Sequence, residues 1–556
     1  LKPSTLALLA LAACQSSSLS TLRIDQAEGY RRGLHVGPEV FFVSGAGTAR
    51  FAPVLLAELD VDAAMETLLA IDAHYREPAN EGYDVAIDRV LAGLRSAGFG
   101  AEEGFELRVD ERPLGHLSWT PRRATLVLHM DDALPQVLHR FDAPGEQDRC
   151  MLPTNAPSAD VRGPVALRAE DLVEGGILVT DEPVDRAVRT AREHGAAGVI
   201  STGLFGFSVD PTGAERHLDA IRYSRVSVGT ELPCAQISQR AYERIKRAAG
   251  AGRCELHLSA GVSLAERPLR TVVATVVGAE RPQEVVTLMA HVQEPGANDN
   301  ASGVAGLLEC ARALRRVISE GALPAPRRSV AFVWGDEYRA SHIFLETTQR
   351  RPIAAVSVDM IGASREKTGA VCLLERGPDP GALTPLPPDE HTPWGAATVN
   401  PNTLIPSGLA VVLRCAMIDV GIEVGGWETS EHPWEGGSDH DVFLNAGVPA
   451  ALMWHFTDFT YHTSLDRPDM VDPEELRRTS AALVVGALGV ADARPGDLRR
   501  YVESALAEGE ERAGAVELEG APLEVAQQWV DWYHGTRLWF SALCAGEPLP
   551  DRYEAR

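Results

Sequence analysis

At 556 residues the chain exceeds what one hydrophobic core usually serves, so two or more folding units are expected. Its 45% hydrophobic and 23% charged residues make a globular composition. A formal net charge of -26 excludes nucleic acid and anionic membrane surface as electrostatic partners, because both are bound by an excess of Lys and Arg.

The first segment, LKPSTLALLALAAC (1–14), sets one Lys and an apolar run too short to span a bilayer ahead of Cys14, and reads as a secretory signal. Leu11-Ala12-Ala13-Cys14 resembles the lipobox of bacterial lipoproteins. That resemblance implies acylation of Cys14, a membrane contact through the lipid alone, and a place in the cell envelope or outside the cell. Gln15 after the Cys leans, by the same resemblance, toward the outer membrane. A plain signal peptide with an incidental Cys is the alternative. The other seven cysteines are scattered, with no CxxC, and form no disulfide framework.

Residues 15–59, Ser-rich at first and then aperiodic, are expected to be a tether and irregular lead-in. Ordered signals start in 60–125. Ile87, Val90, Leu91 and Leu94 recur at helical spacing and stop before Gly98, and FELRVDE then alternates as a strand. In 126–262 the texture changes to short strands and Gly-rich joins: GGILVT, a helical PVDRAVRTAREH, AAGVIST and PCAQIS. This order resembles the small α+β protease-associated domain that many secreted peptidases carry as an insertion. With no titratable cluster of its own, it is expected to pack or to restrict substrate.

In 263–495 strands and helices alternate. RTVVATVVG, EVVTLMAH, SVAFVWG, AAVSVD and PALMW are nearly continuous apolar runs, as strands covered on both faces must be. Val304, Leu307, Leu308, Ala311 and Leu314 form the buried stripe of an intervening helix. The fold class is therefore α/β, a doubly wound and mostly parallel sheet with the smaller unit inserted. Residues 496–556 read as a helical tail, ending in an aromatic stripe that suits core packing better than a membrane surface.

In an open α/β sheet, ligands sit outside the carboxyl ends of the strands. Four strand ends here carry residues that bind metals: His291 closes EVVTLMA, Asp336 and Glu337 follow SVAFVWG, Asp359 follows AAVSV, and His462 comes after PALMWHFTDFTY. Asp299 lies in the loop GANDNASG. Two His and three or four carboxylates at one edge would repel one another without a cation. Imidazole with carboxylate oxygen is a ligand mixture suited to Zn²⁺, and the absence of Cys points to an open, catalytic site.

GANDNASGV, VDMIG, GGSDHDVFLNAGVPA and YHTSLD, spread over about 200 residues from Leu269, closely resemble the motifs of the di-zinc aminopeptidases of metallopeptidase family 28. The resemblance implies a zinc-dependent exopeptidase (phosphorylase/hydrolase-like) fold, two Zn²⁺ per chain and peptide substrates with a free N-terminus. By position, Asp299 bridges the metals, Glu337 and His462 complete one site, and His291 and Asp359 the other. The family's Asp–Asn link is often cis. A water between the zincs would attack the amide, and Asp336 would carry its proton to the leaving amine.

Two departures stand out. Asp336 replaces the family's Glu, shorter by about 1.5 Å of reach. Gln293 replaces an Asp that orients the first His; a Gln can accept the imidazole N–H but brings no charge, and Glu294 is a candidate substitute. Asn300 starts the helix after Asp299. Asp439 and His440 are expected beside the site without ligating, as is His455, and Trp394, Trp427, Trp434 and Trp454 are candidates for a side-chain pocket. The alternatives are an impaired family member acting as a binding or receptor-like protein, and a one-zinc glutaminyl cyclase, against which the presence of both His291 and His462 argues. With no G-x-S-x-G motif, a serine hydrolase is disfavoured.

Overall fold

The computed structural model describes residues 46–547 and 549, apart from 132 and 401–403. Cys14 and the signal and tether expected over 1–45 lie outside the described residues. From residue 46 the expected irregular lead-in gives way to packed structure. Ala52–Glu58 is a helix with Pro near its start, and Phe51, Ala52, Leu55 and Leu56 are buried in the main core. Their spacing is helical over barely two turns, too short to stand out from the aperiodic residues before it.

The helices Val61–Asp72 and Glu81–Ser96 follow. The second is capped by the Asn80 side chain, which accepts from the Tyr83 N–H, and buries Ile87, Val90, Leu91 and Leu94. It stops before Gly98, which adopts φ +91°. Strand β1 (Phe105–Pro113) leads into a separate sheet made of β2 (Ser118–Met130), β3 (Gln136–Phe141), β4 (Ala159–Ala166), β5 (Ile177–Thr180), β6 (Gly198–Ser201), β7 (Cys234–Gln236) and β8 (Cys254–Ala265). Its order is β3-β2-β8-β4-β5-β6-β7, with the helices Val184–Glu193 and Gln239–Ala251 packed on it. β2 and β8 pair antiparallel from Ser118↔Ala265 to Met130↔Cys254, so the inserted unit spans 118–265 rather than 126–262. The two strands enter and leave as one ribbon, whose outer end has no change of composition to mark it.

The main sheet adds β9 (Pro268–Val276), β10 (Arg281–His291), β11 (Arg328–Gly335), β12 (Arg351–Val358), β13 (Val371–Glu375), β14 (Thr429–His432) and β15 (Ala450–Phe456), in the order β1-β9-β11-β10-β12-β15-β13-β14. The centre, β11-β10-β12-β15, is parallel as expected. β9 and β1 on one flank and β13 on the other run antiparallel to their inner neighbours. Val286, Leu288 and Ala290 of β10 face one core, under the helices Ala301–Ser319, Leu409–Glu423 and Pro473–Ala491. Val285 and Met289 face another, under Arg339–Thr347 and His440–Asn445. Cover on both sides is why these strands read as unbroken apolar runs.

The helices Leu498–Leu518 and Leu523–Ala545 close the described chain. Trp529, Tyr533, Trp539 and Phe540 are buried against the main core, as the packing reading of the aromatic stripe requires. Among the described residues no helix is long and apolar enough to cross a membrane, and all seven cysteines are buried and unpaired.

Candidate metal centre

The carboxyl ends of β10, β12 and β15 converge on one cavity. His291 ends β10, Asp359 follows β12 by one residue, and His462 lies in the loop after β15. The loop after β10 brings Asp299 between them. It is stitched to the chain beyond β12 by a set of buried hydrogen bonds. The Asn300 side chain donates to the Val358 carbonyl (3.0 Å) and accepts from Met360 N–H (3.1 Å) and Gly303 N–H (3.0 Å), the last capping the helix Ala301–Ser319. The Ser302 hydroxyl donates to the Asn298 carbonyl, and Asn298 accepts from Gly362 N–H. From below, Asp466 accepts from the Asn298 and Asp299 N–H groups at 2.7 and 2.9 Å. The Asp299–Asn300 peptide is cis, as the resemblance implied.

The small residues of GANDNASG are a condition of this stitching. A Cβ on Gly303 would lie 2.4 Å from the Val358 carbonyl oxygen, and one on Gly296 would lie 2.0 Å from an Asp466 oxygen. The buried Arg76 secures the loop by donating to the carbonyls of Val292 and Gly296.

Asp299 stands between two imidazoles. His291 Nε2 is 3.1 Å from Asp359 Oδ1 and 3.7 Å from Asp299 Oδ1. His462 Nε2 is 3.1 Å from Asp299 Oδ2 and 2.6 Å from Glu294 Oε2. Two sets of three donors, each within 4.8 Å, thus share Asp299: His291, Asp299 and Asp359, and Glu294, Asp299 and His462. The first is the set expected from the sequence. In the second, Glu294 stands where Glu337 was expected.

Glu337 lines the same cavity but belongs to neither set. It is held by Gln293, whose side-chain carbonyl accepts from Glu337 N–H (2.9 Å) and whose amide donates to Glu337 Oε2 (3.3 Å). Gln293 therefore does not orient His291 through its side chain. Its main-chain carbonyl does so, 3.0 Å from His291 Nδ1, and leaves Nε2 facing the carboxylates. Asp336 also departs from expectation. It is buried off the cavity wall, with Oδ2 3.4 Å from Arg339 and its carbonyl capping the helix that starts there.

The neighbours expected beside the site, Asp439, His440 and His455, belong to neither set. The Ser438 hydroxyl donates to Asp359 Oδ2 (3.0 Å). Asp439 accepts from Tyr338 N–H and the Ser341 hydroxyl, and His440 Nε2 pairs with Glu375 at 2.9 Å. His455 bonds the Met360 carbonyl and faces Glu475. A third set of metal-type residues, Glu375, His432 and Glu435, is wiring behind the cavity. His432 accepts the Trp454 indole N–H on Nε2 and faces the Pro433 carbonyl with Nδ1, so neither nitrogen is open to a cation.

Burial raises the Asp299 carboxyl to about 7, and Glu294 pushes the same way. Burial also pushes Glu337 well up. For both imidazoles burial works downward but is outweighed: Asp359 and Glu337 hold His291 well above its ordinary value, and Glu294 and Asp299 hold His462 at about 10. Such a set retains protons only to balance crowded negative charge, and a divalent cation would displace them. Asp359 Oδ1 is buried facing this space, its one close polar neighbour His291 Nε2 at 3.1 Å, in a contact that lacks hydrogen-bond geometry. Donor types, spacing and this oxygen, which makes no hydrogen bond, fit an N/O-ligated divalent metal.

The cavity is walled by Met360, Trp394, Leu452, Trp454 and Tyr461. Of the four tryptophans considered, Trp427 and Trp434 lie elsewhere, bonded to Glu475 and Asp441. The inserted unit packs against the end of β15 and the loop that carries His462, which no motif in the sequence signals. Tyr223 N–H donates to the His462 carbonyl (2.7 Å) and its ring meets the His462 ring edge-on at 5.4 Å. Phe207 packs on Phe456, and Phe205 stacks on Phe207 at 5.0 Å.

Residues 271–381 match the model of peptidase family M28. The fold is similar to that of a peptidase M28 precursor from Shewanella amazonensis SB2B, at TM-score 0.54 and 19% identity over 80% of this chain and 96% of that one. A zinc aminopeptidase from Bacillus subtilis aligns at TM-score 0.49 and 16% identity, over 77% of this chain and 94% of that one. At such identities the structural likeness is one of fold. Among curated proteins none matches. His291, Asp299 and Asp359 all lie within the segment that matches the family M28 model, whereas His462 lies beyond it.

Proposed function

We propose that the protein is a di-zinc aminopeptidase that removes N-terminal residues from peptides. The observation that carries this reading is Asp299 shared between two sets of donors, one around His291 and one around His462. Zinc held there would polarise the scissile carbonyl and make water a nucleophile at neutral pH. The chain's own residues do the rest. Glu337 is the cavity-wall carboxylate outside both sets, held through Oε2 by Gln293, and in this reading it takes a proton from water and passes it to the leaving nitrogen. Asp336, off the wall, is not placed for that task. Met360, Trp394, Leu452 and Trp454 form an apolar wall suited to a hydrophobic side chain.

The sequence of the first fourteen residues supports a lipid anchor at Cys14 and a place in the cell envelope. The order of elements in the insertion supports a protease-associated domain. A second reading, an impaired member that binds without turnover, is favoured by the position of Asp336.

The deciding experiment is zinc content by plasma mass spectrometry on protein purified without added metal or chelator, beside turnover of aminoacyl and N-acetylated aminoacyl anilides. Two zinc ions per chain with turnover of the free-amine series alone is the expected result. No zinc uptake would overturn the reading, and two zinc ions without turnover of either series would favour the binder.

A further inference from the structure

Resting on the metallopeptidase reading, we propose that Glu294, not Glu337, is the third protein ligand of the metal position formed by Asp299 and His462. The resemblance assigns that place to Glu337, and the structure gives a specific reason for the exchange. Gln293 grips Glu337 at two points, its main-chain N–H and its Oε2, and so holds it off the His462 group. At the next residue the chain turns through φ +80°, a conformation non-glycine residues rarely adopt, and Glu294 N–H is fixed by the Arg76 carbonyl at 3.1 Å. That turn aims the Glu294 carboxylate at His462, with Oε2 2.6 Å from Nε2.

The spacing suits a shared cation. Two N/O ligands about 2.0–2.1 Å from a tetrahedral zinc stand about 3.3 Å apart. His462 Nε2 and Asp299 Oδ2 are already 3.1 Å apart, and Glu294 Oε2 has to retreat by less than 1 Å. The other Glu294 oxygen is held from the insertion: Arg225 Nη2 lies 3.6 Å from Oε1 and 3.6 Å from Glu77 Oε2. Arg225 in turn donates to the Tyr223 hydroxyl, which donates to Glu77. The inserted unit thus fixes the outer side of a ligand that the main domain turns inward. Outer partners of this kind are what set a ligating carboxylate's direction.

The test is zinc stoichiometry and zinc titration calorimetry on the full chain, comparing wild type with Glu294→Gln and Glu337→Gln, with circular dichroism to verify that each variant is folded. The expected result is two zinc ions in wild type and in Glu337→Gln. Glu294→Gln should keep one, or bind the second on the order of 100-fold more weakly. Glu294→Asp, which keeps the charge on a shorter arm, should restore part of the loss and separates ligation from misfolding. If Glu337→Gln loses a zinc, or Glu294→Gln keeps both at wild-type affinity, the inference is overturned. A wild type that takes up no zinc instead defeats the function on which it rests, and the two failures are distinct.

Discussion

The side-chain amide of Gln293 embraces Glu337, accepting from its main-chain N–H and donating to its carboxylate, while the imidazole of His291 is oriented by the Gln293 main-chain carbonyl. One residue therefore serves two neighbours through separate groups, and substitution separates them. Gln293→Ala should leave zinc affinity at the His291 position within a few-fold, because the main-chain carbonyl remains. It should lower kcat on the order of 10- to 100-fold by freeing Glu337. Loss of zinc from this variant would mean that the side chain supports His291 after all.

Ser438 holds Asp359 from behind. Its hydroxyl donates to Asp359 Oδ2 and pairs with the Ser357 hydroxyl at 2.9 Å, so the other oxygen, Oδ1, is the one turned toward His291. Ser438→Ala should weaken zinc binding on the order of 10-fold or more without unfolding the protein, read by competition with a chelating dye. Unchanged affinity would assign Ser438 to loop structure alone.

The insertion contributes rings and hydrogen bonds to the site and no member of either donor set. Tyr223→Phe keeps the ring against His462 and removes the hydroxyl that joins Glu77 and Arg225. Glu77 is buried and keeps the Thr154 hydroxyl as a partner. The expected result is about 1–3 kcal/mol less stability in urea denaturation with zinc content unchanged. A drop in zinc stoichiometry would show the insertion to be part of the metal site.

Much of this site was legible because its supports are local. Strands covered on both faces are continuous apolar runs, so their ends can be counted, and His291, Asp359 and Asp299 fall where those counts put them. The exchange of Glu294 for Glu337 was not legible. It depends on one residue's backbone turning through a positive φ and on Arg225, which arrives from a loop of the inserted unit. Pattern reading sees period and composition, and neither records the direction of a single side chain after a strand has ended. Asp336 illustrates the same limit: its place beside Glu337 in sequence says nothing of which of the two faces the cavity.

Behind the cavity, Glu435 makes a claim about pH. It is fully buried, accepts from the Thr392 N–H and hydroxyl, and is approached by Glu375, His432, His391 and, through Glu375, His440. Burial first, and Glu375 second, raise its carboxyl to about 8. His432 is pushed down by burial to about 4, and His391 is lowered too, so neither supplies a cation at neutral pH. Folded protein therefore holds the Glu435 proton to about pH 8, whereas the unfolded chain releases it near 4.5. Between those values the folded state binds the extra proton, so this group favours folding most below about pH 4.5, and that contribution is lost as pH rises toward 8. Glu435→Gln keeps a neutral amide in place and removes the titration. Wild type should lose more stability than the variant between pH 5.5 and 8.5, by at least about 1.4 kcal/mol, the worth of one pKa unit. Urea denaturation at the two pH values measures the difference, and equal losses in both proteins would mean that Glu435 is ionised in the fold.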